Sequence, residues 1–347
     1  MFDDFGNAHE FEHVYRADQR GCEEIRAFLH QNELNMDDGV KVFIVLRHEG
    51  KIIACGGVAD GIIACVAIDD AWRGHGLALP LASELIHVAT SLGYTQLFIF
   101  TKPENEELFA GCGFYSLAKV GNEVVLMENS AMRIRNYMAK LAEKRMPGER
   151  IGAIVMNANP FTLGHRYLVE EALKQCDWLH LFVVSEDLSR FRYHDRLALV
   201  RAGTAHLPRL TVHEGSRYII SRATFPCYFL KVQNIVHRCH MELDLTMFRT
   251  YIAPPLGITH RFAGSEPHCI VTNYYNQNMG QWLASPQIDA PPITFVEIPR
   301  IKHAANYISA SKVRALLDEG RYEEIRGYVP ETTYQFLQEH YFHKEPA

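Results

Sequence analysis

The chain has 347 residues, of which 48% are hydrophobic and 22% charged, and its formal net charge is -6. This balance is typical of a globular protein with a sizeable core, and the length favours two domains. The negative charge argues against nucleic acid as a partner, and no apolar run reaches the length of a membrane span.

The cysteine and histidine patterns bear on redox state and metal binding. No two of the eight cysteines form a CxxC pair, several lie in apolar strand-like runs, and the 18 histidines are scattered. We therefore expect reduced thiols in a cytoplasmic protein, with neither a disulfide scaffold nor a metal site. The acidic start, Met1-Phe2-Asp3-Asp4, is also unlike a secretory signal. The cysteines are Cys22, Cys55, Cys65, Cys112, Cys176, Cys227, Cys239 and Cys269.

In chain order, the first informative run is Cys65–Ala78, which predicts a strand, a glycine-containing turn and the start of an apolar helix over Leu77–Leu92. Glycines at a helix N-terminus expose backbone amides that can bind an anion such as pyrophosphate. With Asn105–Phe109 and Gly111–Tyr115 downstream, the run resembles the acyl-CoA-binding turn of the GNAT N-acetyltransferase fold. By this resemblance, a CoA-like arm would be bound by Arg73, Gly74, Gly76 and Ala78.

The chain divides near residues 130–150. Residues 131–146 have the pattern of an amphipathic helix, which Pro147-Gly148 ends. We therefore expect a GNAT-like domain over residues 1–129, a linker helix over 130–150 and a catalytic domain over 151–347.

In the second part, strand and helix patterns alternate. This alternation predicts a doubly wound, Rossmann-like parallel sheet whose ligands bind beyond the carboxyl ends of the strands. The strand candidates are Ile151–Met156, Leu179–Ser185, Leu210–His213, Ile258–Ala263 and Ile293–Ile298. The helix candidates are Arg166–Lys174, Asp195–His206, a stretch around Tyr228–Met241, Thr272–Leu283, Ser309–Glu319 and Glu331–His340.

The turn after the first of these strands, Asn157–His165, suits nucleotide phosphates. Thr162 can cap the following helix, Gly164 allows close backbone approach, and His165 can donate to a phosphate oxygen. An ordinary βα loop with a threonine cap explains Thr162 alone but not the whole run. The predicted ATP-binding residues of this turn are Asn157, Asn159, Pro160, Phe161, Thr162, Gly164 and His165.

A second cluster, Ile308–Arg314, places two hydroxyls and two cations at the start of another predicted helix. Alone it could equally be a capping motif with a solvated basic face. Together, its ISxSxxR pattern and the TxGH pattern of the first turn resemble the nucleotidyltransferases related to phosphopantetheine adenylyltransferase. That resemblance implies that the triphosphate and transition state are held by His165, Ser309, Ser311 and Arg314, with His165 and Arg314 catalytic. Many members have aspartate where this chain has Asn159.

Other candidates are weaker. Gly264, Ser265 and Glu266 follow a predicted strand and could contact ribose or adenine, although a plain turn is equally consistent. A basic residue near the pyrophosphate is also expected, and the sequence leaves open whether it is Arg190, Arg192 or Lys231. Arg196 is interpreted as a structural helix residue.

Four runs carry a closer resemblance, to the citrate lyase ligase family: VMNANPFTLGHRYLVEEA, SRYIISRATFPCYFLK, RFAGSEPHCIVTNYYNQNM and YISASKVRALL. The resemblance implies an enzyme that uses ATP to activate acetate as acetyl adenylate, releasing pyrophosphate. It then implies acetylation of a thiol on the dephospho-CoA-like group of the acyl carrier subunit of citrate lyase, releasing AMP. Mg²⁺ would be held mainly by the nucleotide, because carboxylates are sparse near the motifs.

Several alternatives remain open from the residues. The second domain could be a simple adenylyltransferase, a ligase for a related carrier such as that of a decarboxylase, or part of a CoA-responsive sensor. The GNAT-like domain shows no obvious general base, although Tyr115 could act as an acid, so it could be an acetyltransferase, a docking domain or a site for the carrier arm.

Overall fold

The computed structural model describes residues 10–220, 225, 228–230, 232–265, 270–303 and 306–342. The chain forms two compact units. The first consists of Met1–Asn136 and Phe225–Leu243, and the second of Tyr137–Thr224 and Asp244–Ala347. Nothing in the alternation of strand and helix patterns indicates that Phe225–Leu243 joins the first unit.

The first unit contains a seven-stranded sheet of order β1-β2-β3-β4-β5-β7-β6, in which β4 and β5 are parallel and the other neighbours antiparallel. The strands are β1 (Phe11–Tyr15), β2 (Val42–His48), β3 (Lys51–Ala59), β4 (Ile62–Ile68), β5 (Phe98–Thr101), β6 (Tyr115–Val120) and β7 (Val124–Glu128). The helices are α1 (Gln19–Gln31), α2 (Ala78–Ser91) and α3 (Glu106–Gly111), with 3₁₀ turns at Asp70–Trp72 and Pro103–Asn105.

Helix α2 packs closely on the sheet. Leu81, Leu85 and Val88 recur at helical spacing and lie in the core of this unit. A Cβ atom on Gly56 of β3 would stand 2.6 Å from Leu85 Cδ1, so glycine is what allows the helix to approach the strand. The predicted apolar helix over Leu77–Leu92 is therefore present, with its apolar face inward.

Strands β4 and β5 separate soon after they meet. They pair at Ile62↔Phe98 and Ile63↔Ile99, and beyond these pairs a cavity opens between them. Cys65 follows on β4 with a positive φ of 54°, a conformation that L-residues rarely adopt and that interrupts regular strand geometry. The opening exposes the inner edges of both strands to a ligand.

The second unit contains a parallel sheet of order β10-β9-β8-β11-β12. The strands are β8 (Ile151–Met156), β9 (Trp178–Val183), β10 (Leu210–His213), β11 (His260–Gly264) and β12 (Thr294–Ile298), with a hairpin of β13 (Lys302–His303) and β14 (Asn306–Tyr307). The remaining helices of the chain are α4 (Arg133–Ala142), α5 (Leu163–Leu173), α6 (Tyr193–Thr204), α7 (Gln233–Met247), α8 (Ala253–Leu256), α9 (Ile270–Ala284), α10 (Ala310–Asp318), α11 (Tyr322–Ile325) and α12 (Glu331–His340), and a π-helix spans Phe248–Ile252. Helices α4 and α7 each include residues of both units.

The predicted doubly wound parallel sheet is confirmed. The strand order reverses at β8, whose neighbours are β9 on one side and β11 on the other. Right-handed connections then place helices on both faces and leave a crevice at the carboxyl end of β8. The helix that differs most from expectation is the stretch predicted around Tyr228–Met241, which begins as α7 at Gln233 and continues to Met247. The bounds of the other predicted helices differ from the observed ones by at most four residues.

A buried histidine pair joins β9 and β10. His180 Nδ1 lies 2.9 Å from His213 Nε2, the side chains are 0% and 2% exposed, and the His213 ring stacks on Phe182. Burial, with a contribution from Lys144, lowers the pKa of His180 to about 4. Burial, His180 and Lys144 lower that of His213 to about 3. Both rings are therefore neutral in the folded protein at pH 7.

We expect acid to destabilise the protein through this pair. The folded-state pKa values lie below the unfolded value of 6.5, so the unfolded chain binds more protons as the pH falls. The contribution of the pair to the free energy of unfolding is fully present above pH 6.5. It should decrease by roughly 2 kcal/mol per histidine by about pH 5. Melting temperatures measured from pH 8 to 5 should fall, and the fall should be much shallower in H180L/H213L. An unchanged slope in this variant, with the exposed His206→Gln as control, would contradict the prediction.

Candidate functional site

The two distant motifs of the second unit meet at the carboxyl end of β8. The Arg314 guanidinium donates from Nη1 to the backbone oxygen of Asn159 at 2.6 Å. At Gly164, an added Cβ would stand 3.0 Å from the backbone oxygen of Ile308. The turn before α5 and the turn before α10 are therefore in direct contact, although about 150 residues separate them.

A cavity of about 450 Å³ opens beside this contact. Its volume is within the range of small-molecule sites. Of the predicted ATP-binding residues, those that line it are Thr162, Gly164, His165, Gly264, Ser309 and Ser311. Those outside its lining are Asn157, Asn159, Pro160, Phe161, Ser265 and Arg314. Glu266 lies outside the described residues.

His165 is held in one orientation and one tautomer. The backbone amide of Thr162 donates to His165 Nδ1 at 3.0 Å, and the Thr162 hydroxyl lies 2.9 Å from the same nitrogen. In return, the His165 amide donates to the Thr162 hydroxyl at 3.3 Å, which completes a capping box at the start of α5. Because an amide can only donate, Nδ1 accepts and the proton of the neutral ring is on Nε2.

The ring stays neutral at physiological pH. Its poorly solvated surroundings lower the pKa of His165 to about 4, and the positive charge of Arg300 lowers it further in the same direction. The His165 ring also stacks on Phe161, whose side chain is fully buried. His165 therefore offers a fixed neutral N–H donor on the cavity wall.

Arg300 is a cavity residue that sequence reasoning missed. It lies two positions beyond the end of β12, and Pro299, Arg300 and Ile301 all line the cavity. A basic residue just beyond a predicted parallel strand was the available signal, since ligands bind at that edge of the sheet. It adds a positive charge beside His165.

The second motif presents hydroxyls at a helix N-terminus. Ser309 caps α10 by accepting a hydrogen bond from the amide of Lys312 at 3.2 Å, which leaves its own proton to donate. The Ser311 hydroxyl accepts from Arg314 Nη2 at 3.1 Å. Arg314 thus ties Ser311 to Asn159, and its observed contacts connect the two motifs.

The two asparagines of the first turn form hydrogen bonds with the protein framework around it. The Asn159 side-chain oxygen accepts from the amide of Phe191 at 3.1 Å. The oxygens of Asn157, backbone and side chain, accept from Arg196 Nη1 at 2.7 and 2.5 Å. Arg196 is fully buried, in accord with its interpretation as a structural residue. These contacts account for the asparagines as parts of the framework that holds the turn.

The basic loop after β9 also contacts the second motif. Arg190 Nη1 donates to the backbone oxygen of Arg314 at 3.2 Å and pairs with Asp318 at 2.5 Å. Arg190 therefore packs beside α10, next to the second motif. Lys231 lies outside the described residues, and the choice among the three basic candidates stays a prediction.

The close approach at Gly164 predicts a stability effect. We expect Gly164→Ala to lower the free energy of unfolding by about 1–3 kcal/mol, because its Cβ would press on the backbone oxygen of Ile308, which cannot rotate away. Gly264→Ala is the matched control, since a Cβ there meets nothing within 4 Å, although it lines the same cavity. Denaturant unfolding of both variants is the measurement. Equal stabilities would show that the two motifs are less tightly packed than described.

The first unit has its own cavity, of about 520 Å³, in the opening between β4 and β5. Arg73, Gly74, Gly76 and Ala78 all line it, and the two glycines have φ values of 78° and 77° that favour glycine. Tyr115 is 50% exposed on β6 and is not among the lining residues. The predicted CoA-binding turn therefore lies at a cavity, whereas Tyr115, the suggested acid, lies outside its lining.

Comparison with known proteins follows the same division. The model of the citrate lyase ligase C-terminal domain matches residues 151–337, and that of the acetyltransferase (GNAT) family matches residues 8–115. The chain is 55% identical to the [citrate [pro-3S]-lyase] ligase of Escherichia coli (strain K12), over 96% of this chain and 95% of that protein. The chain belongs to the citrate lyase ligase family. This confirms the predicted family and the predicted two-part fold class.

Two further members of the citrate lyase ligase family show the same extent of similarity. The ligase of Klebsiella pneumoniae is 49% identical over 91% of this chain and 92% of its own length. That of Haemophilus influenzae is 48% identical over 95% and 98%. The similarity thus includes both units, so the GNAT-like unit is a regular part of these ligases.

Two features of the described part of the chain concern metals and membranes. No group of three or more His, Cys, Asp or Glu side chains there is arranged to hold a metal ion. Among the same residues, no helix has both the length and the apolar character needed to cross a membrane.

Proposed function

We propose that this citrate lyase ligase uses ATP to activate acetate as acetyl adenylate, with release of pyrophosphate. It then acetylates the thiol of the dephospho-CoA-like group on the acyl carrier subunit of citrate lyase, with release of AMP. The observation that carries the proposal is the meeting of the His165 and Ser309–Arg314 motifs at one cavity. Family membership supports a nucleotide substrate and the lyase as the protein acted upon.

The cavity offers the groups that adenylate formation needs. The N-termini of α5 and α10 bring backbone amides and positive dipole ends to its wall. His165 Nε2–H, the Ser309 hydroxyl and the Arg300 side chain add directional donors and positive charge. Such donors, fixed before the reaction, stabilise charge that develops on a phosphate group.

In the first step, a carboxylate oxygen of acetate attacks the α-phosphorus, and the bond from that phosphorus to the leaving pyrophosphate oxygen breaks. We propose that His165 donates a hydrogen bond to the phosphate oxygens on which negative charge develops. The positive charges of Arg300 and Arg314 neutralise that charge. In the second step, the thiol sulfur attacks the acetyl carbon, loses its proton, and AMP leaves. Both steps depend on position and charge, with no covalent enzyme intermediate.

Mg²⁺ would accompany the triphosphate. The described residues provide no cluster of three acidic, His or Cys side chains, so they do not form a protein cage for this ion. We therefore assign the ion mainly to the phosphates of the nucleotide.

We also propose that the first unit binds the arm of the carrier. Its cavity contains the amide-rich turn Arg73–Ala78 at the start of α2, which suits the pyrophosphate of a dephospho-CoA-like group. Arm binding gives this unit a role in the same reaction without requiring an acetyltransferase activity. The sequence limits 1–129, 130–150 and 151–347 are part of this proposal, with the segment Phe225–Leu243 of the last range belonging to the first compact unit. So is a cytoplasmic location, which the free thiols of the described cysteines support.

The deciding experiment is exchange of labelled pyrophosphate into ATP. Our proposal requires exchange that depends on acetate and proceeds without the carrier. A simple adenylyltransferase would need a phosphopantetheine-type cosubstrate instead, and a ligand sensor would show no exchange. Transfer is then tested with the thiol form of the carrier subunit, whose mass should increase by one acetyl group.

The arm-binding turn gives a separate prediction. We expect Gly76→Glu to raise KM for the carrier by about tenfold or more, because a carboxylate at the turn repels pyrophosphate. Gly50→Glu is the matched control, since both glycines have a φ of 77°, both have open space at Cβ, and Gly50 does not line the cavity. Acetate-dependent exchange should be unchanged in both variants. An unchanged KM in folded Gly76→Glu would remove the turn from arm binding.

A further inference from the structure

The segment Phe225–Leu243 contributes two aromatic side chains to the cavity of the first unit. Tyr228 and Phe229 line it, although they lie more than a hundred residues beyond the strands that form it. Their side chains are buried, and their rings contact each other edge to face at 5.1 Å. The GNAT-like sequence before residue 130 therefore does not contain its complete cavity.

Tyr228 is held rigidly where β4 and β5 part. Its hydroxyl donates to the backbone oxygen of Phe100 at 3.1 Å, and its backbone oxygen accepts from the amide of Asn35 at 2.8 Å. Phe100 is the first residue of β5 beyond the last β4–β5 pair. Asn35 in turn accepts through its backbone oxygen from Cys65 Sγ on β4 at 3.6 Å. Tyr228 thus spans the gap between the two strands.

This aromatic wall and the glycine turn stand apart along β4. Tyr228 is connected to β4 at Cys65 through Asn35, whereas the turn begins after Ile68, roughly 10 Å further along the strand. A pyrophosphate bound at the turn and an arm extending into the cavity would therefore bring the distal, thiol end of the arm toward the wall. The wall is apolar apart from the Tyr228 hydroxyl, which is already bonded to Phe100.

We propose that Tyr228 and Phe229 form the end wall of the arm site and limit what the thiol may carry. This rests on the proposed binding of the pyrophosphate at Arg73–Ala78. A free thiol or a small acyl thioester is accepted, and a thiol with a bulky substituent is excluded by contact with the Phe229 ring. Specificity for the size of the S-substituent therefore comes from a segment outside the contiguous GNAT-like sequence.

The test uses the full chain and two probes, dephospho-CoA and its S-benzyl thioether. The nucleotide site is first saturated with α,β-methylene-ATP, so that calorimetry measures binding at the first unit. Wild type should bind dephospho-CoA about tenfold or more tighter than the benzyl probe. Phe229→Ala should bring the two affinities within about threefold of each other, because it opens space for the benzyl ring. Leu230→Ala is the control, since Leu230 is similarly buried but does not line the cavity.

Phe229→Leu provides a milder second variant that keeps the site apolar, and melting temperatures show whether each variant is folded. The proposed role of the aromatic wall would be wrong if wild type bound both probes equally. It would also be wrong if the ratio of the two affinities were unchanged in a folded Phe229 variant. If dephospho-CoA still binds and Gly76→Glu weakens it, the arm site stands while the wall is wrong. If wild type binds neither probe, both the arm site and the wall are wrong, and acetate-dependent exchange still tests adenylate formation separately.

Discussion

Replacing His165 with alanine is expected to lower kcat for acetate-dependent pyrophosphate exchange by about 10²–10³-fold, the usual effect of removing one fixed donor to a transition-state oxygen. The reason is the Thr162 amide, which occupies Nδ1 and leaves Nε2–H as a donor on the cavity wall. His165→Gln, which can place an amide N–H near the former Nε2, should recover part of the loss. His194→Ala is the control, because that side chain is 93% exposed.

The pH dependence gives the same prediction an independent check. With a pKa of about 4, His165 is neutral throughout the physiological range, and protonation at Nδ1 would break the bond from Thr162. The profile of kcat/KM for ATP reports the free enzyme, so it should contain no His165 ionisation above about pH 5. A step near pH 6.5 that disappears in His165→Gln would contradict the assigned environment. Full exchange activity in His165→Ala would remove this turn from catalysis.

Arg196→Ala should have the largest effect on stability. The Arg196 side chain is fully buried and donates to four backbone carbonyls, those of Asn157, Val184, Glu186 and Phe191. Its loss leaves these oxygens without their partner and the nearby Glu186 carboxylate without its counter-charge. We expect a loss of about 3–5 kcal/mol, which corresponds to a fall in melting temperature of roughly 10 °C.

The role of Arg196 depends on the planar geometry of its guanidinium group as well as on its charge. Arg196→Lys should not restore stability, because a single ammonium group cannot reach carbonyls that lie around a planar guanidinium. Arg201→Ala on the same helix is the control, since its side chain is 50% exposed and its only described ion pair is a surface contact with Glu214. A melting temperature for Arg196→Ala close to that of Arg201→Ala would show that the carbonyls find other partners.

Much of the second unit was predictable because its signals are local. The apolar run Ile151–Met156 predicted β8 with its observed bounds, and the helix predicted over Arg166–Lys174 is α5, which begins three residues earlier at Leu163. Thr162 was expected to cap the helix, and it does. Such features depend on residues within one turn of each other, so the order of residue types is enough to indicate them.

The roles of individual site residues were less predictable. Phe161 belongs to the same motif as His165, yet it is buried beneath that ring, outside the cavity lining. Arg300 lies outside both sequence motifs, yet the strand order brings it to the cavity. Whether a side chain faces a ligand or the core depends on backbone direction and on neighbours from other strands, which a linear pattern does not specify.

The order of residues was therefore sufficient for the family, the parallel sheet and the capped turns before α5 and α10, because each rests on contiguous residues with characteristic spacing. It was insufficient for the contact of Arg314 with Asn159, for the cation at Arg300 and for the return of Tyr228 and Phe229 to the first unit. Each of these features brings together residues that are far apart in the chain. The entropic cost of closing such a long segment is offset only by the packing of the folded chain. Only the folded chain thus shows which distant residues share a cavity.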